Sequence, residues 1–258
     1  MMMPRHAART RAFSLVELSI VLVILGLLVG GVLSGQSLIR AAELRSVTTD
    51  FTRYQTAIYS FRDKYFALPG DMANATAFWG TAAGTGSDMT CYDTASTDAR
   101  TCNGNGDGQI AGLSLPAVYS EPNRSWQHLA NAGLIEGRYT GQNVAPTVGV
   151  TAPRGRISNT GFFLVHVVNA GNFGESFSND SNGNQLFFGA TTAVFRDPAL
   201  KPEEAWNLDT KIDDGRPATG VLQTDTTFSS ACYTGTYPSA VYALNVTSIA
   251  CSLRLTLR

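Results

Sequence analysis

A long uncharged segment near the amino terminus constrains this chain more than any other feature. The run from Leu18 to Ile39 contains no charged side chain, and Glu17 lies directly before it. An apolar segment of about 18 or more residues is long enough to cross the hydrocarbon core of a bilayer as a helix. Only a short basic stretch with Arg5, Arg9 and Arg11 precedes it, and basic flanks remain on the cytoplasmic side. We therefore expect a single-pass membrane segment whose amino terminus is cytoplasmic.

The helix is predicted to continue beyond the membrane. Apolar residues recur at spacings of three and four, which indicates one face of an amphipathic helix: Leu38, Ala41, Ala42, Leu44, Val47, Phe51, Tyr54, Ile58, Phe61 and Tyr65. No proline occurs between Arg5 and Leu68, and Pro69-Gly70 is a plausible stop. We predict a helix from about Phe13 to Phe66. A cleaved secretory signal has an apolar core of only about 7 to 15 residues, so a retained anchor is favoured.

The remaining residues predict a β-rich globular head. Charged residues are only 15% of the chain and the net charge is −1, so no basic surface for nucleic acid is indicated. A helix is expected at 122–132, where proline lies near the start and Gly133 follows the end. Strands are expected at 161–168, 185–188, 193–195, 242–246 and 252–257. An antiparallel sheet against the apolar helix face gives an α+β fold.

The amino-terminal residues resemble those of a known family. The string Arg-Ala-Phe-Ser-Leu-Val-Glu at residues 11–17, the apolar run after it and the string from Lys64 to Asp71 resemble type IV prepilins and type II secretion pseudopilins. The resemblance implies a leader at 1–12, cleavage between Ala12 and Phe13 by a prepilin peptidase, and methylation of the Phe13 amine. It further implies a transmembrane helix half at 13–40, an amphipathic half at 41–66 and a pilin-like extracytoplasmic head at 67–258. The location implied is the bacterial inner membrane, with the head in the periplasm or, in a filament, outside the cell.

Glu17 is the candidate assembly residue. An isolated carboxylate in a low dielectric is heavily penalised, whereas pairing it with a positive amino terminus gives a short charge-assisted contact. Cleavage before Phe13 would create such a terminus, and a head-to-tail contact with the next subunit would build a helical filament. The alternative is that Glu17 lies in the headgroup zone and only marks the membrane edge.

The four cysteines indicate an oxidising compartment. They form two close pairs in sequence, Cys91 with Cys102 and Cys232 with Cys251. Four cysteines allow three connectivities, and the sequence alone does not decide between them. The bacterial periplasm would permit two bridges. Free thiols or a four-cysteine zinc site are the alternatives, although no C-x-x-C spacing supports zinc.

Two polar segments are candidate cation sites. Asn103, Asn105 and Asp107 fall at positions 1, 3 and 5 of a calcium-type loop, and Gln109 would contribute its backbone carbonyl. Ser114 replaces the bidentate glutamate at position 12, so a plain turn remains the alternative. The acidic stretch at 207–217 predicts a short capped helix that leads into a loop, with a second cation site or a partner contact as the alternative.

Catalytic motifs are not found. The three histidines lie outside any H-E-x-x-H pattern, and neither a G-x-S-x-G elbow nor a phosphate loop occurs. His166 is interpreted as a core or sheet residue. The sequence therefore predicts a non-enzymatic filament subunit whose partners are the peptidase, other pilin or pseudopilin subunits and the membrane. A membrane-anchored binding protein or enzyme that never polymerises is the alternative.

Overall fold

The chain divides into two compact units, Met1–Glu43 and Leu44–Arg258. The computed structural model describes residues 14–87, 91–111, 120–167, 183–190, 194–225, 228–236 and 238–257. The first unit contains the apolar part of the amino-terminal helix. The second unit contains the rest of that helix and the head. The two units are described separately below.

Helix α1 spans Leu15–Tyr65 and confirms the long helix predicted from the apolar pattern. The Phe66 N–H donates to the Arg62 carbonyl at 2.8 Å and closes the last turn. Phe66 then takes a positive φ of 54°, a backbone conformation that cannot continue a right-handed helix. The helix therefore ends at Tyr65, one residue earlier than predicted.

The described residues of the head form two antiparallel sheets. The larger sheet has four strands in the order β1-β2-β6-β3, and the β1–β2 pair is the longest, with Phe162 opposite Phe188. Alternation along each strand places every second side chain on the face toward α1. The strand bounds are β1 Thr160–Val167, β2 Gly183–Ala190, β3 Leu222–Thr224, β4 Tyr233–Thr234, β5 Val241–Tyr242 and β6 Leu253–Thr256, with β4 and β5 forming the smaller sheet.

Within the second unit, one face of α1 packs on the larger sheet. The Phe51 ring lies 5.4 Å from the Phe162 ring and 6.1 Å from the Phe188 ring, measured between centroids. The Tyr54 ring lies 4.9 Å from that of Phe162 and 5.1 Å from that of Trp126. Fully burying side chains of this size contributes about 1.5–3 kcal/mol each. The buried residues of α1 are Val47, Phe51, Tyr54, Ala57, Ile58 and Phe61, and all of them except Ala57 belong to the face that the sequence pattern predicts.

Within the described parts of the head there are three further helices. They are α2 Ala75–Trp79, α3 Ser120–Asn131 and α4 Pro202–Ile212. Helix α3 confirms the helix predicted at 122–132, and both Trp126 and Leu129 in it are fully buried. Helix α4 begins earlier than the sequence indicated, because Pro202 fits the first helical turn and the Glu204 carboxylate accepts the Lys201 N–H at 2.9 Å.

The strand predictions at 161–168, 185–188 and 252–257 match β1, β2 and β6. The prediction at 242–246 was too long, since β5 ends at Tyr242. The prediction at 193–195 was wrong for Val194 and Phe195, which lie in a bend; residue 193 is outside the described residues. The physical reason is that Phe195 has a φ of 54°, which an extended strand does not adopt.

Both local disulfides form. Cys91 is bonded to Cys102 across a Cα–Cα distance of 5.8 Å, and Cys232 is bonded to Cys251 across 5.0 Å. No free cysteine is left among the four. The structure thereby selects one of the three connectivities that the sequence left open.

Candidate processing and assembly site

The assembly candidate Glu17 lies in the first turn of α1. Its Oε2 atom accepts the backbone N–H of Ser14 at 2.9 Å, and the Ser14 hydroxyl oxygen accepts the backbone N–H of Val16 at 3.3 Å. Ala12 and Phe13, the predicted cleavage and methylation residues, lie outside the described residues. The predicted site is therefore described from Ser14 onward, with the carboxylate at the start of the helix.

The apolar part of α1 has the properties of a membrane span. In the part of the chain that the structure describes, α1 is the one helix long and apolar enough to cross a bilayer. Its most apolar window of 18 residues has a mean hydropathy of 2.6, and none of that window is buried. Large apolar side chains such as Leu22, Val29 and Leu33 are exposed. Lipid is the environment in which an all-apolar exposed helix is stable, because its backbone hydrogen bonds are all internal.

An apolar amino-terminal helix of membrane-spanning length and an α+β head are the features expected of a membrane-anchored protein. Residues 8–33 match the family model described as the prokaryotic N-terminal methylation motif, which is the prepilin-type cleavage and methylation signal. The chain therefore carries the signal of a type IV pilin-like or pseudopilin-like precursor. No curated protein and no solved structure matches the chain.

The predicted calcium loop is held by hydrogen bonds of its own. The Asn103 Oδ1 atom accepts the Thr76 N–H at 2.8 Å, at the start of α2. Asn105 Oδ1 accepts the Asp107 N–H at 3.0 Å, and Asp107 Oδ1 accepts the Gln109 N–H at 2.8 Å. These local side-chain contacts are typical of turns. A calcium ion bound by Asn103, Asn105, Asp107 and the Gln109 carbonyl would compete with them, and calcium binding stays a prediction.

Two carboxylates that the sequence analysis missed organise this loop. The Asp71 carboxylate accepts the N–H groups of Gly106, Asp107 and Gly108 at 2.7, 3.0 and 2.9 Å. Burial raises the pKa of Asp71 above its usual range, and the bonds from Gly108 and Gly106 oppose that rise. The backbone of the loop thus surrounds an acid supplied by the chain itself.

Glu121 is the second of these carboxylates, and it is fully buried in α3. Its two oxygens accept the N–H groups of Asn105 and Ala111, each at 3.0 Å. Its role could not be read from the local sequence, because its partners lie 16 and 10 residues away. Both carboxylates tie the loop to the helical part of the head.

The acidic stretch forms the end of α4 and the loop after it. Carboxylate oxygens of Asp209, Asp213 and Asp214 lie within 4.8 Å of one another. Asp209 accepts the Tyr242 hydroxyl at 2.8 Å and the Gly215 N–H at 3.2 Å. The predicted short helix leading into a loop is confirmed, and the second cation site or partner contact stays a prediction.

The two histidines of the head lie within helix α3 and strand β1. His166 lies in β1, as predicted for a sheet residue. His128 is fully buried; its Nδ1 atom accepts the Gly70 N–H at 3.0 Å, and its Nε2 atom lies 3.0 Å from the Thr101 hydroxyl oxygen. Since Nδ1 accepts, the neutral ring carries its proton on Nε2 and donates it to Thr101. The ring joins α3 to Gly70, next to Asp71, and to Thr101, just before the loop.

Proposed function

We propose that this chain is a structural subunit of a type IV pilus or a type II secretion pseudopilus. The single observation that carries the proposal is the position of Glu17. It lies in the first turn of α1, within the prepilin-type signal at 8–33 and at the start of the apolar span. In this proposal a peptidase cuts between Ala12 and Phe13, and the new Phe13 amine is methylated.

Assembly then depends on the charge at Glu17. The carboxylate of one subunit pairs with the amine of a neighbour inside the bilayer, where a charge-assisted hydrogen bond is strong. Because the two groups belong to different positions of the same chain, the contact repeats without closing and gives a filament. The apolar half of α1 anchors the subunit until it is incorporated.

The head is placed on the periplasmic side in this proposal. The basic residues before the span favour a cytoplasmic amino terminus, and the two disulfides fit an oxidising compartment. The size of the head at 67–258 and its long insertions favour a specialised or minor subunit. No catalytic step is assigned to the head.

The test is to follow processing and incorporation of the full chain. Sheared filaments are analysed by mass spectrometry, and the amino terminus of the mature chain is sequenced. We expect a methylated Phe13 as the first residue, and we expect inactivation of the peptidase to leave the leader attached. A chain that is never found in filaments, or that retains its leader in the presence of active peptidase, would support the non-polymerising anchor instead.

Glu17→Ala separates anchoring from assembly. We expect the variant to insert and be cleaved normally, while its incorporation into filaments falls at least about tenfold, the change expected when roughly 1.4 kcal/mol of interaction is lost. Asp63→Ala is the matched control, because it removes an exposed acid of the same helix outside the apolar span. Equal incorporation of Glu17→Ala and the control would contradict the assembly role.

A further inference from the structure

The start of α1 has the sequence of a capping box and the carboxylate contact of that motif. In this motif the side chain of a serine at the helix start accepts the backbone N–H of a glutamate three residues later, and the glutamate carboxylate accepts the backbone N–H of the serine. Ser14-Leu-Val-Glu17 has that spacing. The carboxylate bond of the motif is present, because Glu17 Oε2 accepts the Ser14 N–H at 2.9 Å. The Ser14 Oγ atom accepts the N–H of Val16, the residue before Glu17, at 3.3 Å, which is also a contact of a helix N-cap.

The contact between the Ser14 N–H and Glu17 stabilises the carboxylate of the unassembled subunit. Before assembly, the neighbour's amine is absent, and an unpartnered carboxylate at the edge of hydrocarbon is heavily penalised. The first helical turn supplies two compensations, namely an unsatisfied N–H donor and the positive end of the helix dipole. Glu17 reaches the Ser14 N–H within its own chain, so no second subunit is needed to satisfy it.

We infer that the Ser14 N–H is the partner of the Glu17 carboxylate in the unassembled subunit, and that the amine of a neighbouring subunit replaces it when the subunit is incorporated into a filament. The inference rests on the proposed function, because the amine exists only after cleavage before Phe13. Ser14 is then a positioning residue: it holds the carboxylate at the helix start, and it is not itself the contact between subunits.

The geometry allows the exchange to proceed stepwise. Among the hydrogen bonds of the described residues, only Oε2 of Glu17 is engaged. A carboxylate has two oxygens and about four acceptor positions, so Oε1 is available to an arriving amine while Oε2 still holds the Ser14 N–H. The carboxylate therefore does not lose all of its partners at any stage. The stronger, doubly charged contact then replaces the bond to a neutral donor.

Two substitutions at Glu17 separate the cap from the charge. Glutamine also serves at the third position of a capping box, so Glu17→Gln keeps the acceptor for the Ser14 N–H and loses the charge. Glu17→Leu loses both. We expect Glu17→Gln to preserve the helix start in the unassembled subunit and still reduce filament incorporation at least about tenfold, since the amine loses its charged partner. Wild-type incorporation of Glu17→Gln would contradict the exchange of partners.

The direct test measures the distance between the two groups. The full mature chain is labelled with ¹⁵N at Ser14 and ¹³C at the Glu17 carboxyl, and their dipolar coupling is recorded by solid-state NMR. One sample is the unassembled subunit in phospholipid bilayers, and the other is the assembled filament. We expect a strong coupling in the bilayer and a clearly weaker one in the filament. Glu17→Gln with the equivalent label is the control for a cap without charge.

Failure of this inference is distinguishable from failure of the proposed function. No coupling in the bilayer sample would show that the cap does not form, and an equal coupling in both samples would show that no exchange occurs. Either result overturns the inference, although filaments would still form through Glu17. Failure of the proposed function has a different signature, because Glu17→Ala would then be incorporated as well as the Asp63→Ala control.

Discussion

At the scale of single residues, two buried titratable groups make the stability of the head depend on pH in opposite directions. His128 is fully buried, and desolvation, with a smaller contribution from the Arg124 charge, lowers its pKa from 6.5 to about 3. The Asp209 carboxyl is buried between α4 and Tyr242, and desolvation raises its pKa from 3.8 to about 7. Between about pH 4 and pH 6.5 the two groups change the stability of the head in opposite directions, so single-residue variants are needed to separate their contributions.

The prediction for His128 concerns mild acid. A group with a depressed folded-state pKa contributes stability that is present above pH 6.5 and is lost as the pH falls toward 3. We expect the free energy of unfolding to fall by about 2 kcal/mol between pH 6.5 and pH 5 because of this residue. Trp126 is fully buried, so its fluorescence reports denaturant unfolding of the full chain in detergent. His128→Gln should remove this part of the pH dependence, and an unchanged slope in that variant would contradict the assignment.

The prediction for Asp209 has the opposite sign. A carboxyl with a raised folded-state pKa contributes stability that is fully present below pH 3.8 and is lost as the pH rises through 7. Ionisation also creates a negative charge on Asp209 close to the carboxylates of Asp213 and Asp214. Asp209→Asn is expected to gain about 2 kcal/mol of unfolding free energy over wild type between pH 5 and pH 8. The same fluorescence measurement checks it, with the exposed Asp63→Asn as control; equal pH profiles for Asp209→Asn and wild type would refute it.

At the scale of elements, the long helix was predictable because its signal is local and periodic. The positions from Val47 to Phe61 that the spacing assigned to one face are all buried, and Ala57 is buried beside them although the pattern did not include it. By contrast, Leu38, which the spacing assigned to the same face, is 71% exposed, because it lies at the end of the apolar membrane segment. Ser14 was overlooked, although its S-x-x-E spacing with Glu17 is a recognisable capping-box pattern.

The loop at 103–111 could not be predicted in the same way. Its conformation is fixed by Asp71, which lies 35 to 37 residues before the N–H groups it accepts. Glycine- and asparagine-rich segments favour turns of several types, so the local composition does not determine which turn forms. Contacts with residues distant in sequence determine it. The bend at Phe195 is a similar case, since its residues favour a strand while the observed φ of 54° excludes one.

The element-scale prediction tests the contact between α1 and the sheet. Phe51 packs edge-on against Phe162 and Phe188, so Phe51→Ala leaves a cavity in addition to losing buried apolar area. We expect a loss of about 3–5 kcal/mol in the unfolding free energy of the head. Thr52→Ala is the matched control on the neighbouring exposed face and should change the value by less than about 0.5 kcal/mol. Similar losses in both variants would show that the packing does not stabilise the head.

At the scale of the whole molecule, the two disulfides act on separate parts of the head. Cys91–Cys102 leads directly into the loop that Asp71 and Glu121 hold. Cys232–Cys251 joins the smaller sheet to the segment before α4, because Cys251 exchanges backbone hydrogen bonds with Leu200 at 2.9 and 3.0 Å. The sequence separations of the bonded cysteines are 11 and 19 residues, and the two loops do not overlap.

Non-overlapping loops predict additive stabilisation. In the chain-entropy description each bridge restricts its own part of the unfolded chain, so each paired Cys→Ser variant should lose about 2–4 kcal/mol of unfolding free energy. The variant lacking both bridges should lose the sum to within about 0.5 kcal/mol. Denaturant unfolding of the full chain in detergent measures all three values, and hydrogen exchange locates the change near 91–111 for the first pair and near α4 and β6 for the second. A strongly non-additive loss would mean that the bridges stabilise one shared folded region, because independent restriction of the unfolded chain cannot produce coupling between them.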